Sequence, residues 1–273
     1  MAQLNLIKKR LKSVESTQKL TGATGLVASV KMQRYRYKIQ TSDQYSEDIY
    51  RFIEALFSTT ENIENPYLKK GEIDNPAYLI ICGDSGMCGG FNNELLKYTV
   101  TQIDKKVPIY VIGQVGYLWL EKNRYNIQKY CLSGDDIDGV YEIANILLEK
   151  YRRNEISEIN VIYSRFVNTL MCSQEMVRVL PFSYEGEKRD NIIIFEPSQD
   201  ELINNLIPMY VKSLIVRCLY QSKTSEASAR KNAMDTAKKN ADKLIEELQL
   251  NYNKARQQAI TQEMNEIISA SEK

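Results

Sequence analysis

Histidine is absent from the 273 residues of this chain. That absence removes the usual general base for a serine or cysteine nucleophile, the commonest metal ligand and the usual proton carrier near neutral pH. Cysteine is sparse and odd in number: Cys82, Cys88, Cys131, Cys172 and Cys218 include no Cys-x-x-Cys pair. Neither a disulfide framework nor a zinc site is suggested, and a reducing compartment fits best. Charge of one sign is lacking too, because a net charge of +1 gives no global attraction to nucleic acid or to a membrane. The start MAQLNLIKKRLK has no apolar run of the signal-peptide kind, and the most apolar stretch, PMYVKSLIVRCLY, is interrupted by Lys212 and Arg217. The expectation is a soluble or membrane-peripheral protein without direct membrane insertion.

Proline is missing from two long stretches, and these organise the rest. From Thr224 to Lys273 there is neither proline nor glycine, and at about 1.5 Å per residue a helix over this span would run roughly 75 Å. Ala233, Ala237, Ala241, Leu244, Leu248, Tyr252, Ala255 and Ala259 form a seam at three- and four-residue steps, mostly of small residues, so one face seeks a closely packed partner helix. The other stretch runs from Leu4 to Phe57. There Leu4, Ile7, Leu11, Val14, Gln18, Thr21, Gly25, Ala28, Met32, Tyr35 and Ile39 alternate three and four apart. Two such helices flanking a different kind of sequence fold most simply as an antiparallel coiled coil.

Between them the period changes. Ala77–Cys82, Val107–Gly113 and Glu158–Val167 read as buried strands, alternating with helices over Asn92–Lys106, Gly116–Asn123 and Val140–Arg153. Alternation of this kind implies a mainly parallel sheet with right-handed crossovers, a Rossmann-like α/β head. Gln174–Phe182 and Asn191–Ser198 read as later strands, joined by a polar loop holding Glu185, Gly186, Glu187, Lys188 and Arg189. Ser198 caps a helix that Pro208 breaks or restarts. The expected fold class is therefore α/β: a long antiparallel coiled coil of terminal helices with an α/β head. The expected divisions are 1–65, 66–198 and 199–273.

One stretch invites a chemical reading. Gly83–Glu94, GDSGMCGGFNNE, follows a strand and precedes a helix, where phosphate loops occur. It has no Gly-Lys-Ser/Thr ending, and its glycines do not form Gly-x-Gly-x-x-Gly, so a tight strand-to-helix turn is the simpler reading. Asp84, Asp135, Asp136 and Asp138 could in principle bind a divalent cation, but their surroundings are those of turns. No catalytic constellation, cofactor or metal site is expected. The first forty residues are strongly basic, with Lys8, Lys9, Arg10, Lys12, Lys19, Lys31, Arg34, Arg36 and Lys38 against Glu15. Such a run is either a solvated helix face or a surface meeting an acidic partner.

Four stretches in order carry a resemblance. IKKRLKSVESTQKLT (Ile7–Thr21), SGMCGGFN (Ser85–Asn92), SEASARKNAMDTAKKNA (Ser225–Ala241) and ELQLNYNKARQQAITQEMNEI (Glu247–Ile267) together resemble the gamma subunits of rotary F-type ATP synthases. The resemblance spans the whole chain. It implies a non-catalytic central rotor shaft inside a ring of alpha and beta subunits, coupling ATP synthesis or hydrolysis there to rotation of a membrane c-ring, with an epsilon subunit as further partner. It also implies a place on the cytoplasmic face of a bacterial membrane. Contacts to beta loops are implied for Arg256, Gln257, Thr261, Gln262 and Glu263, and the basic start, with Lys8, Lys9, Arg10 and Lys19, would oppose acidic loops of beta. The chain departs from the family pattern at Gly22, Thr24 and Gly25, where Lys, Met and Lys are usual, and near the end at Ser269 and Ala270. Three alternatives stand beside the shaft: the stalk of a divergent ATPase motor not coupled to ion transport, a coiled-coil scaffold without a rotary role, and a small α/β enzyme using the Gly83–Asn92 loop.

Overall fold

The computed structural model describes residues 2–59, 65–71, 73–184 and 198–271. Helix α1 (Ala2–Thr59) is followed by a short 3-10 turn at Pro66–Leu68. Then come β1 (Pro76–Ile81), α2 (Phe91–Gln102), β2 (Ile109–Ile112), α3 (Gln114–Lys122), β3 (Ile127–Cys131), α4 (Ile137–Arg152), β4 (Glu158–Phe166), β5 (Cys172–Leu180) and α5 (Gln199–Ser271). The expected strand at Asn191–Ser198 and the loop before it lie outside the described residues, Ser198 excepted. The chain divides into two compact units, one of residues 1–29 with 230–273 and the other of residues 30–229.

In the first unit α1 and α5 run antiparallel. Gln18 Nε2 donates to Asp242 Oδ1, a Cβ on Gly22 would lie 3.9 Å from Lys238 Cδ, and one on Gly25 would lie 3.4 Å from Met234 Cβ. In each pair the two residue numbers add to about 260, the mark of opposed directions. The heptad seam of α1 is the less exposed face at every position from Leu4 to Ala28, and on α5 the seam from Ala233 to Ala259 is likewise shielded, with Ala241 and Leu248 buried. Met234, outside the expected seam, is buried as well.

The second unit is a three-layer α/β structure. Its sheet has the order β3-β2-β1-β4-β5; β1, β2, β3 and β4 are parallel and β5 is antiparallel to β4. Because side chains alternate across a strand, β1 sends Ala77, Leu79 and Ile81 to one core and Ile80, with Cys82 just after the strand, to the other. The first core receives Ile53 and Leu56 of α1, Ile143 and Leu147 of α4, and Ile203, Ile207, Val211 and Ile215 of α5. The second is closed by Leu95 and Leu96 of α2 and Leu120 of α3. Within this unit too the terminal helices pair antiparallel, with the Ser46 hydroxyl donating to Ser213 Oγ at 3.0 Å and the Tyr50 and Tyr210 rings 5.7 Å apart.

Two expectations are corrected. Strand β3 was not anticipated, and Pro208 neither breaks nor restarts the last helix: α5 is continuous through it. Proline in a helix interior costs about 3 kcal/mol. On either side of it, however, the wholly buried Ile203, Ile207 and Val211 continue one stripe into the core, each contributing about 1.5–3 kcal/mol by burial, so the helix persists. The start of α5 is capped as expected, with the Glu201 amide donating to Ser198 Oγ at 3.3 Å. By composition alone α5 contains a window apolar enough to cross a bilayer, with mean hydropathy 1.2. The buried stripe of α5 in the core gives that apolar character a role inside the fold.

Candidate functional site

An open α/β sheet offers a ligand crevice at the carboxyl ends of its strands where the strand order reverses. Here that point lies between β1 and β4, beside the glycine cluster. The turn is tight: the Gly83 amide donates to Asn92 Oδ1 at 2.9 Å, Asn92 Nδ2 donates to Cys88 Sγ at 3.3 Å, and Met87 and Gly89 take positive φ of 59° and 61°. The first turn of α2 brings its own carboxylate, Glu94, to complement the helix dipole.

The crevice itself is filled by α5. Every residue from Ser222 to Ser228 is buried, although the run reads SKTSEAS with one apolar side chain. The Ser222 hydroxyl donates to Ile81 O at 3.2 Å and the Ser225 hydroxyl to Ser164 O at 3.1 Å, while the Phe166 amide donates to Gln221 Oε1 at 3.1 Å and the Ser228 hydroxyl to Thr169 O at 2.8 Å. Side chains of α5 thus satisfy the ends of β1 and β4 where a ligand would sit in other doubly wound proteins. Lys223 is paired with Asp84 and lies 3.8 Å from Glu226. Asp84 also accepts from Ser133 Oγ and the Gly134 amide, both at 3.1 Å. Asp136 caps α4 through the Gly139 amide at 3.1 Å. These aspartates form turns and ion pairs.

Electrostatics follow from that packing. Tyr35 of α1 donates to Asp135 Oδ1 at 2.6 Å. Burial, reinforced by this bond and by the charges of Asp135, Glu226 and Asp84, pushes the Tyr35 phenol well above its ordinary range. Burial alone would raise the Asp135 carboxyl, yet the Tyr35 bond and the charges of Lys223, Lys31 and Lys38 hold it below the usual carboxylate value. Cys82 is pushed up to about 12 by burial and by the charge of Glu226, so it is no nucleophile at neutral pH.

The residues singled out from the sequence lie in the other unit. Lys8, Lys9, Arg10 and Lys19 are exposed on α1, and Arg256, Gln257, Thr261, Gln262 and Glu263 are exposed on α5, with the Thr261 hydroxyl turned back to Gln257 O at 2.9 Å. With paired residue numbers adding to about 260, the start of α1 falls opposite residue 258 or so, and α5 runs on beyond it without that partner. From Arg256 to Met264 every described side chain but Ala259 is exposed. Among them Ile260, Met264 and Ile267, spaced four and three apart, form an apolar stripe with exposures of 48%, 57% and 68%.

A family model described as ATP synthase matches residues 3–272. The ATP synthase gamma chain of Clostridium kluyveri is 35% identical over 278 aligned positions, covering 99% of this chain and 98% of that one. The chain belongs to the ATP synthase gamma-chain family. Another gamma chain, from Clostridium novyi, is 32% identical with the same coverage. The fold matches a chain in the OSCP/F1/c-ring structure of Euglena gracilis mitochondrial ATP synthase, rotational state 3, at a TM-score of 0.72 and 15% identity, covering 98% of this chain and 93% of that one. It also matches a chain of the rotor of that enzyme, rotational state 1, at a TM-score of 0.69 and 14% identity, covering 95% and 99%. Against this family, the signal that sequence reasoning missed was SKTSEAS: a polar run around the whole circumference of a gamma-chain helix, which has to find its partners inside the fold.

Proposed function

We propose that this chain is the central rotor stalk of an F-type ATP synthase, coupling ATP synthesis or hydrolysis in an alpha/beta ring to rotation of a membrane c-ring. The observation that carries the reading is the end of α5: from Arg256 to Met264 every described side chain but Ala259 is exposed, and the stripe Ile260, Met264 and Ile267 is open to solvent. An apolar stripe on an otherwise polar helix calls for an enclosing partner. Arg256, Gln257, Thr261, Gln262 and Glu263 lie beside it as short polar grips. The exposed Lys8, Lys9, Arg10 and Lys19 suit acidic loops of a beta subunit, each rim pair contributing about 0–1 kcal/mol. Contacts of this kind can be made and broken at successive positions, as rotation requires, whereas large complementary anchors would trap one position.

The same reading places the complex on the cytoplasmic face of a bacterial membrane, with this subunit peripheral to it. It assigns residues 1–65 and 199–273 to the stalk and 66–198 to the head. An epsilon subunit is the further partner.

Co-expression with alpha and beta subunits from the same source tests the function. One copy should join a six-membered ring, and removal of residues 247–273, or Arg256→Ala with Gln257→Ala, should lower ATP turnover. A chain that assembles only with itself would instead be a scaffold.

A further inference from the structure

A stalk transmits torque only if its helix cannot roll against the body that it turns. Apolar packing alone secures α5 to the sheet along one stripe, Ile203, Ile207, Val211 and Ile215. The polar run after it holds the helix from several directions. At about 100° per residue, Gln221, Ser225 and Ser228 share one face of α5 and bind the end of β4 and the hairpin beyond it. Ser222 points about 60° away from Ser225, to the end of β1. Lys223 points roughly 160° from Ser225, and its side chain, 5% exposed, is held through the ammonium by Asp84. The anchored arc covers roughly 220° of the helix circumference.

We propose that Lys223, through Asp84, is a positioning residue that fixes the rotational setting of α5 on the head. It acts as the key that stops the helix from rolling under torque. The proposal rests on the rotor reading above. Lys223 grips the face of the helix opposite Ser225, whereas the bonds of Gln221, Ser222, Ser225 and Ser228 lie within less than half a turn of one another, so the lysine opposes any pivoting about them. Asp84 is itself fixed by the Ser133 hydroxyl and the Gly134 amide, so it offers a rigid socket. Its bonds to that loop persist when the lysine is removed, which lets a variant keep the fold.

The test uses the whole complex in sealed vesicles, where ATP hydrolysis builds an ion gradient. Lys223→Met should leave ATP turnover with an ionophore present unchanged, because there is then no load, and should at least halve the steady gradient reached without the ionophore, because slip grows with load. Lys223→Arg, which keeps the charge, should restore it. A Lys223→Met complex that builds the full gradient overturns the proposal, as does a folded Lys223→Arg complex no better than Lys223→Met. Should Lys223→Met not assemble, Asp84→Asn reads the same quantity: a full gradient there refutes the key and a reduced one supports it. If the unaltered chain joins no ring or drives no gradient, the rotor reading has failed, and the proposal with it.

Discussion

Gly22 and Gly25 lie inside α1 of the coiled-coil unit, and replacing them with alanine is expected to stabilise it. A Cβ on Gly22 meets only Lys238 Cδ, at 3.9 Å, and one on Gly25 meets Met234 Cβ at 3.4 Å and Asp235 Oδ1 at 3.6 Å, which are ordinary contacts. Neither glycine has positive φ. Each substitution therefore recovers the cost of an interior glycine, about 0.5–1 kcal/mol. At Gly25 the buried methyl adds up to about 0.8 kcal/mol. Since about 1.4 kcal/mol is a tenfold change in an equilibrium constant, each backbone gain alone corresponds to roughly 2- to 5-fold slower hydrogen exchange in the neighbouring helix. Together they give about 5- to 30-fold if the two sites add. Hydrogen exchange read by mass spectrometry on peptides covering residues 15–29 measures this in the intact chain. Gly25→Leu should reverse the sign, overpacking the approach to Met234 by about 1–3 kcal/mol. Faster exchange in Gly25→Ala would mean that the two helices need the bare glycine there, and would refute the spacing on which this account of the seam depends.

At Gly113 the outcome is the opposite: with φ of 103° and a Cβ that would sit 2.4 Å from Cys82 O, Gly113→Ala should cost about 2 kcal/mol or more, seen as a lower denaturant midpoint. Burial pushes the phenols of Tyr110 and Tyr151 up to about 12 from an ordinary 10.0. Folded tyrosines then hold protons that unfolded ones lose, so stability is intact below pH 10 and falls as the pH climbs from 10 toward 12. Tyrosinate absorbance followed with circular dichroism checks this, and full ionisation near the ordinary value with native dichroism would contradict it. Cys172 is half-buried while Cys82, Cys88, Cys131 and Cys218 are buried, so in the native protein a thiol-alkylating reagent should label Cys172 first.

Periodicity made most of the architecture legible. The seam of α1 needed only the spacing of Leu4, Ile7, Leu11 and their successors, because a helix with one shielded face has to repeat in that way. The strands β1, β2 and β4 announced themselves as apolar runs because both of their faces are covered. Strand β3 did not: IQKYC is an edge strand whose side chains alternate between half-buried and exposed, and its lysine and glutamine masked the pattern. The continuity of α5 through Pro208 was hidden because it is decided by tertiary burial on either side of the proline. The burial of the run from Ser222 to Ser228 was illegible for a related reason. Its members are ordinary surface residues by type, and only the reversal of strand order between β1 and β4 places them in an enclosed crevice. The exposed residues proposed to contact a partner in the coiled-coil unit were named through resemblance, since a residue facing solvent in the isolated chain leaves no packing signature.

The antiparallel pairing of the chain ends also governs the order of events during synthesis. Gln18 and Asp242 are 224 residues apart, so at about 5–20 residues per second the first helix waits roughly 10–45 s on the ribosome before its partner is made. During that interval the seam of α1 from Leu4 to Ala28 is uncovered, and the surrounding surplus of lysine and arginine sets like charge against like when two such chains meet. The basic character of the amino-terminal helix thus bears on the chain before its coiled coil exists.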